Sequence, residues 1–229
     1  MKTIADKIIS FNKHLEYTGS LPANIRIMNP FKESKTAGKI SEIFYRKFYN
    51  DVHPRRLILG INPGRLGAGA TGVMFTDPKR LIKECGILFD GPLLHEPSSE
   101  FVYAVIAAYG GVEAFYNDVY IHSVCPLGFT IVDDKGKEKN YNYYDSKELT
   151  ADVREFIKWN IQQQIKIIGG TQTCYCLGTG KNFAFLQALN NEEHYFERIV
   201  PLEHPRFIMQ YKNKSKQMYI DDYVRKLRM

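Results

Sequence analysis

Residues 55–64 read Arg55-Arg56-Leu57-Ile58-Leu59-Gly60-Ile61-Asn62-Pro63-Gly64. The run Leu57-Ile58-Leu59 is short, continuously apolar and closed by glycine, as in a strand buried on both faces. Asn62-Pro63-Gly64 is a turn signal. Gly60, Gly64, Gly67, Gly69 and Gly72 then place five of the 17 glycines within 13 positions. Such a loop lets backbone approach a ligand closely. A dinucleotide fingerprint needs G-x-G-x-x-G at the mouth of a helix. Gly64-x-x-Gly67-x-Gly69 has another spacing, and no helical pattern follows at once. Gly178-Thr179-Gly180-Lys181-Asn182 falls short of a P-loop, because it ends in Asn and lacks the upstream glycine.

Three further strands are predicted at residues 118–123, 173–177 and 196–202. Helical patterns lie at 98–109, 150–166, 181–190 and 214–228. On the N-terminal side, Ile4, Ile8, Ile9, Phe11 and Leu15 share one helical face. A Pro- and Asn-rich loop covers 21–39, and a second helical pattern runs through Ile40, Ile43, Phe44 and Phe48. Residues 133–145 are polar, with a turn signal at Asp134-Lys135-Gly136-Lys137. Strands alternating with helices imply crossover connections. The expectation is a three-layer α/β/α sandwich around a central, mostly parallel four-stranded sheet. Residues 1–229 are read as one domain, with 1–50 as a helical lead-in packed on it. Ligands of such sheets bind beyond the carboxyl ends of the strands. Chemistry is therefore expected in the loops after residues 60, 122, 177 and 202.

Composition narrows the class. The chain has 229 residues, 44% of them hydrophobic and 24% charged. Those fractions exclude disordered, collagen-like and coiled-coil chains. No apolar run approaches the roughly 18 residues that cross a bilayer. The N-terminus lacks the apolar stretch of a signal peptide. Cys85, Cys125, Cys174 and Cys176 sit mostly in apolar surroundings and read as reduced core residues of a cytoplasmic protein. Cys174 and Cys176 have no further ligands nearby to make a zinc site. The net charge is +6 and the sequence pI about 9.0. Between residues 206 and 229 seven basic residues face two acids, Asp221 and Asp222. Clustered positive charge fits a polyanion partner; a solvated helix with a basic face fits equally well.

The loop sequences point to a family. Gly60-Ile61-Asn62-Pro63-Gly64 followed by Thr71-Gly72-Val73-Met74-Phe75 resembles the first motif of the single-strand-selective monofunctional uracil-DNA glycosylases. That motif runs GMNPG, a short glycine-containing spacer, then TGVPF; Met74 stands where it has proline. His122-Ser123-Val124-Cys125-Pro126-Leu127 resembles the family's H-N-x-C-P-L segment. Glu203-His204-Pro205-Arg206 resembles the second motif, HPSPRN. The three motifs fall in the right order, each after a predicted strand, and the resemblance covers residues 60–210.

The resemblance implies a monofunctional DNA glycosylase of the uracil-DNA glycosylase superfamily, acting in base excision repair on a flipped-out nucleotide. Hydrolysis of an N-glycosidic bond leaves positive charge on the sugar and negative charge on the base. By resemblance, the carbonyl of Asn62 orients the attacking water and His204 donates a hydrogen bond to the base oxygen. An amide is no strong base, so positioning dominates at Asn62. Ile61, Gly64, Met74, Phe75 and Ser123 are expected to bind the base, Phe75 by stacking. Ser123 replaces the family's base-reading Asn; either a water or a neighbour such as His122 takes over, which puts discrimination of uracil from xanthine, hypoxanthine or oxidised pyrimidines in doubt. No Asp or Glu lies between residues 60 and 76, which predicts a slower enzyme than the superfamily branch that has a carboxylate there.

Arg206, Phe207, Ile208, Met209, Lys212, Lys214 and Lys216 are expected to meet DNA. Apolar wedges help to open base steps, and lysines hold phosphates. For Phe207, Ile208 and Met209 the wedge and the core readings weigh equally, with at least one residue facing DNA. His53, His95 and His194 show no evident partners, and Asp77, Asp133 and Asp134 read as turn residues. No metal or cofactor is expected. The partner is DNA containing a damaged base, single- or double-stranded, bound by a monomer; no membrane is involved. Two other readings stay open: a catalytically weak nucleic-acid-binding module on the same fold, and an α/β enzyme of free nucleosides or nucleotides. The basic tail argues against the latter.

Overall fold

The computed structural model describes residues 1–133 and 135–229. Asp134 of the expected turn lies outside them. The four expected strands are present as β2 (Arg56–Gly60), β3 (Val119–Ser123), β6 (Thr173–Leu177) and β7 (Arg198–Leu202). They form one all-parallel sheet in the order β3-β2-β6-β7. Leu57, Ile58 and Leu59 are buried, as a strand with neighbours on both sides requires. Gly60 is level with Ser123, and Leu177 with Leu202. All four chains therefore leave the sheet at one edge.

Helices flank this sheet: α6 (Pro97–Tyr109), α7 (Val112–Asp118), α9 (Arg154–Ile168), α10 (Lys181–Glu193) and α12 (Lys216–Leu227). The helical pattern expected over 150–166 is divided, with α8 (Lys147–Asp152) ending just before α9. Two further short helices follow motif segments, α5 (Pro78–Lys83) and α11 (Pro205–Tyr211). At the N-terminus, α1 (Ile4–His14) starts on a capping box in which Thr3 and Asp6 satisfy each other's backbone N–H. Ser34 caps α3 (Lys35–Phe48), whose hydroxyl accepts from Ala37 N at 3.1 Å. Ile4, Ile8 and Phe44 join the same apolar cluster as Leu57 and Leu59.

One element is new relative to the sequence reading. β1 (Ile25–Met28), β4 (Gly128–Val132) and β5 (Glu138–Tyr141) form a three-stranded antiparallel sheet in the order β1-β4-β5. β1 falls within the stretch expected to be loop, and the expected turn near residue 135 joins β4 to β5. Each strand is four or five residues long and β5 is largely polar, so no apolar alternation betrays them. Two one-turn helices, α2 (Pro30–Glu33) and α4 (Ala68–Thr71), complete the set. α4 sits within the glycine-rich loop, where no helical pattern is visible.

Buried polar links tie helix to sheet edge. Tyr120 OH donates to Gln164 Oε1, Gln164 Nε2 to Asn160 Oδ1, and Asn160 Nδ2 to the carbonyls of Ser123 and Val124, all at 2.9 Å. Buried polar groups of this kind are costly unless paired, so a complete chain of bonds fixes one geometry. Here it holds the chain leaving β3. Among the described residues no helix is long and apolar enough to cross a membrane. The four cysteines are free and buried.

Candidate active site

The edge where the parallel strands end opens into a cleft of about 380 Å³. Residues that follow β2, β6 and β7 line it, including Asn62, Phe75, Lys181 and His204. Asn62 and His204 are 142 positions apart in the chain, and the common exit edge puts them on the same cavity.

Asn62 is held at both ends. Its Nδ2 donates to the carbonyl of Tyr141 at 3.2 Å, and its Oδ1 accepts from Tyr143 N at 3.2 Å. Oδ1 keeps a second lone pair for a water. Tyr143 is itself anchored: its hydroxyl donates to Asn182 Oδ1 at 2.7 Å, and Asn182 Nδ2 donates to the carbonyl of Leu177 at 3.0 Å. The first turn of α10 thus braces Asn62 through the segment that follows β5. Sequence reading set aside Lys181 and Asn182 with the failed P-loop, and missed Tyr143 altogether. Their link to Asn62 runs through backbone and hydroxyl groups that no motif encodes.

His204 caps α11. Its Nδ1 accepts from Arg206 N at 3.1 Å, so the neutral ring carries its proton on Nε2. Burial, aided by the Arg206 charge, pulls His204 down to about 4. The ring is therefore neutral at physiological pH and keeps one N–H to give.

Phe75 lies beside the imidazole, with ring centroids 6.4 Å apart. Its backbone is left-handed, with φ of 53°. That conformation is uncommon for a bulky residue and is held here from outside. The buried Thr71 hydroxyl accepts from Val73 N at 3.1 Å and donates to the carbonyl of Thr76 at 2.7 Å, pinning the turn on both sides of Phe75. Gly60 completes the fit: a Cβ there would lie 2.7 Å from Phe75 Cε2. The glycine that ends the strand is the floor under this ring.

The other expected base contacts divide. Ile61 and Gly64 line the cleft. Met74 and Ser123 are buried and stand 3.5 Å apart, Sδ to Oγ, behind its wall. The Ser123 hydroxyl faces the Met74 thioether. His122 is buried against Phe11 and Tyr120, and burial lowers it to about 4. Asn140, Asn142 and Tyr144, from β5 and the turn after it, supply cleft polar groups that the sequence did not point to.

At the mouth, Arg206 and Phe207 are exposed and line the cleft with Gln210 and Tyr211. Ile208 is fully buried. Its expected DNA contact gives way to core packing, since no surface remains to offer. Met209 is half-buried and packs against the core. Tyr211, 65% exposed, packs at a tilt against Phe207 with centroids 5.4 Å apart. The i, i+4 spacing of these two aromatics on the seven-residue α11 is the signal the sequence offered. Lys212 and Lys214 are exposed, and Lys216 pairs loosely with Glu100 at 3.8 Å.

A carboxylate also enters. Glu96, just ahead of α6, lines the cleft. Burial and the Asp77 charge push it up to about 7, against the pull of Arg206. Asp77 is more than a turn residue: it is buried, caps α5, and accepts from Arg80 and Glu96 N–H groups at 2.9 Å. His95 also has partners, Arg80 at 2.9 Å and Asp77 at 3.6 Å.

The comparisons agree with this geometry. A family model described as the uracil DNA glycosylase superfamily matches residues 46–228. The crystal structure of wild-type SMUG2 from Pedobacter heparinus is similar, with a TM-score of 0.97 and 60% sequence identity. That match covers 100% of this chain and 98% of the other. A comparison with curated proteins found no match. The chain belongs to the uracil-DNA glycosylase superfamily, in its single-strand-selective monofunctional branch, and is a hydrolase of the N-glycosidic bond.

Proposed function

We propose that the chain removes uracil, or a related deaminated or oxidised base, from DNA by flipping the nucleotide into the cleft. Asn62 orients the water that attacks the sugar, and His204 Nε2–H takes up the charge developing on the base. Phe75 stacks on the extruded ring, and Phe207 and Tyr211 meet the bases left in the strand. The observation that carries this reading is that Asn62 and His204 share one cleft, while the Arg206 N–H fixes which imidazole nitrogen carries the proton. A neutral donor suits an anion that forms only in the transition state. The protein is read as a cytoplasmic monomer, with residues 1–229 as one unit, DNA as its partner and no metal or cofactor.

The test is base release. Single- and double-stranded oligonucleotides bearing uracil, xanthine, hypoxanthine or an oxidised pyrimidine are incubated with the protein and scored for alkali-labile abasic sites. Uracil release is expected. If none of these substrates is cleaved, a non-catalytic binding module remains.

The basic segment gives a second prediction. Each phosphate contact on a single strand contributes about 0.7 to the slope of log K against log salt. Replacing Lys212, Lys214 and Lys216 together by Ala is expected to flatten that slope by about 1.4, from the two unpaired lysines, and to weaken binding at low salt. Filter binding across a salt series reads it, and an unchanged slope assigns the lysines to a bystander surface.

A further inference from the structure

Glu96 is the group in the cleft that the proposed mechanism has not used. Its side chain makes no cap for α6. It runs instead over the glycine-rich loop that carries Asn62. A Cβ on Gly67 would lie 2.0 Å from Oε2, and one on Gly64 would lie 3.1 Å from Oε1. The carboxyl therefore rests directly on the backbone at Gly67, where a methyl group would push it aside. The backbone N–H of Glu96 is tied to Asp77 Oδ2 at 2.9 Å, which fixes where the side chain starts. Among the described residues no donor holds either carboxylate oxygen. An unpaired carboxyl in so enclosed a place calls for a function.

We propose that Glu96 is the base that takes the proton of the water oriented by Asn62, a role that rests on the glycosylase reading above. An amide can aim a water but cannot keep its proton; a carboxylate can. The water oxygen bonds to C1′ of the deoxyribose as the C1′–N bond breaks. The bond's electron pair leaves on the base, where His204 Nε2–H stabilises it. The water proton passes to the Glu96 carboxylate, which later releases it through solvent to the departed base anion. The carboxylate also favours the positive charge building on the sugar. The expected absence of a carboxylate holds for residues 60–76 of the loop, yet the fold supplies one from the start of α6.

The surroundings set the direction of the pH response. Asp77 opposes ionisation of Glu96, and Arg206 favours it. Arg80 from α5 and His95 from the segment before α6 pair with Asp77, Glu100 of α6 pairs with both of them, and Lys181 and Glu203 line the same cleft. His204 titrates near 4 and stays neutral throughout the relevant range. A base must be ionised to act, so activity should rise with pH and level off above about 7.

The experiment is single-turnover release of uracil from a single-stranded oligonucleotide between pH 5 and 9. For the wild type, the rate is expected to climb about tenfold per pH unit below the inflection and then flatten. Glu96→Gln is expected to lose on the order of 100-fold at pH 8, and to lose the slope. Its binding to an oligonucleotide carrying an abasic-site analogue should match the wild type, which shows that the fold is intact. Gly67→Ala, whose methyl displaces the carboxyl, should lower the rate and move the inflection. His95→Gln should keep the wild-type slope. The proposal is overturned if Glu96→Gln cleaves within threefold of wild type, if it slows with the slope intact, or if His95→Gln removes the slope. Failure of the wild type to release any base removes the glycosylase reading itself, a different result.

Discussion

Asn62→Ala should slow base release by two to three orders of magnitude, roughly 10²–10³-fold, while leaving DNA binding within about twofold. The size follows from what the side chain does. It contributes a lone pair at a fixed place, and loss of one well-placed polar group typically removes about 3–4 kcal/mol of transition-state stabilisation. The place is fixed because Tyr141 and Tyr143 hold both ends of the amide. Alanine leaves those two backbone groups to water at the cleft wall, so a small loss of thermal stability should accompany the rate loss. Asn62→Asp separates the two effects. It keeps the acceptor for Tyr143 N and loses the donor to Tyr141 O. A rate for Asn62→Ala within fivefold of wild type at saturating enzyme rules out the water-orienting role.

His204 has two duties, and two substitutions divide them. Its Nδ1 caps α11, and its ring lines the cleft with the Nε2–H left to give. His204→Ala loses both, and loss of an N-cap alone costs about 1 kcal/mol of stability. His204→Asn can keep the cap through its carboxamide oxygen but is too short to place a donor where Nε2 stands. Both variants should lose roughly 10²–10³-fold in single-turnover rate, and only the alanine should melt clearly earlier. pH gives an independent check. A His pulled down to about 4 is neutral at every pH from 5 to 9, so its own titration cannot bend the rate profile there. Any bend in that window belongs to another group. If His204→Asn abolishes the bend while Glu96→Gln keeps it, this assignment of neutral donor and titrating base is reversed.

The central sheet was legible because Leu57-Ile58-Leu59 and its three counterparts are apolar runs stopped by turn residues, with helical periods between them. Their boundaries in the structure fall within two residues of those expected. The small antiparallel sheet was not legible. Its strands are short and half-polar, and pairing rather than composition defines them. The same limit applied at the cleft. Positions 62, 75 and 204 sit in motifs whose spacing announces them. Glu96, Asn140, Tyr143 and Asn182 reach the same space from distant segments, and only the fold brings them there. Ser123 occupies a motif position, and only the fold shows it buried beside Met74. Ile208 and Phe207 were indistinguishable by residue type, since both are apolar. The turn of one helix decides which of them meets the solvent.

The bracing of Asn62 by Tyr143 and Asn182 has an implication for judging relatives of this chain. A homologue that retains both reacting groups but has lost the carboxamide at 182 would still look competent to anyone checking its motifs. Its tyrosine hydroxyl would lose its acceptor, the segment presenting the Tyr143 amide would loosen, and the aim of the water would drift. Inactivation in this lineage can therefore begin out of sight of the DNA, at a position that neither signature contains.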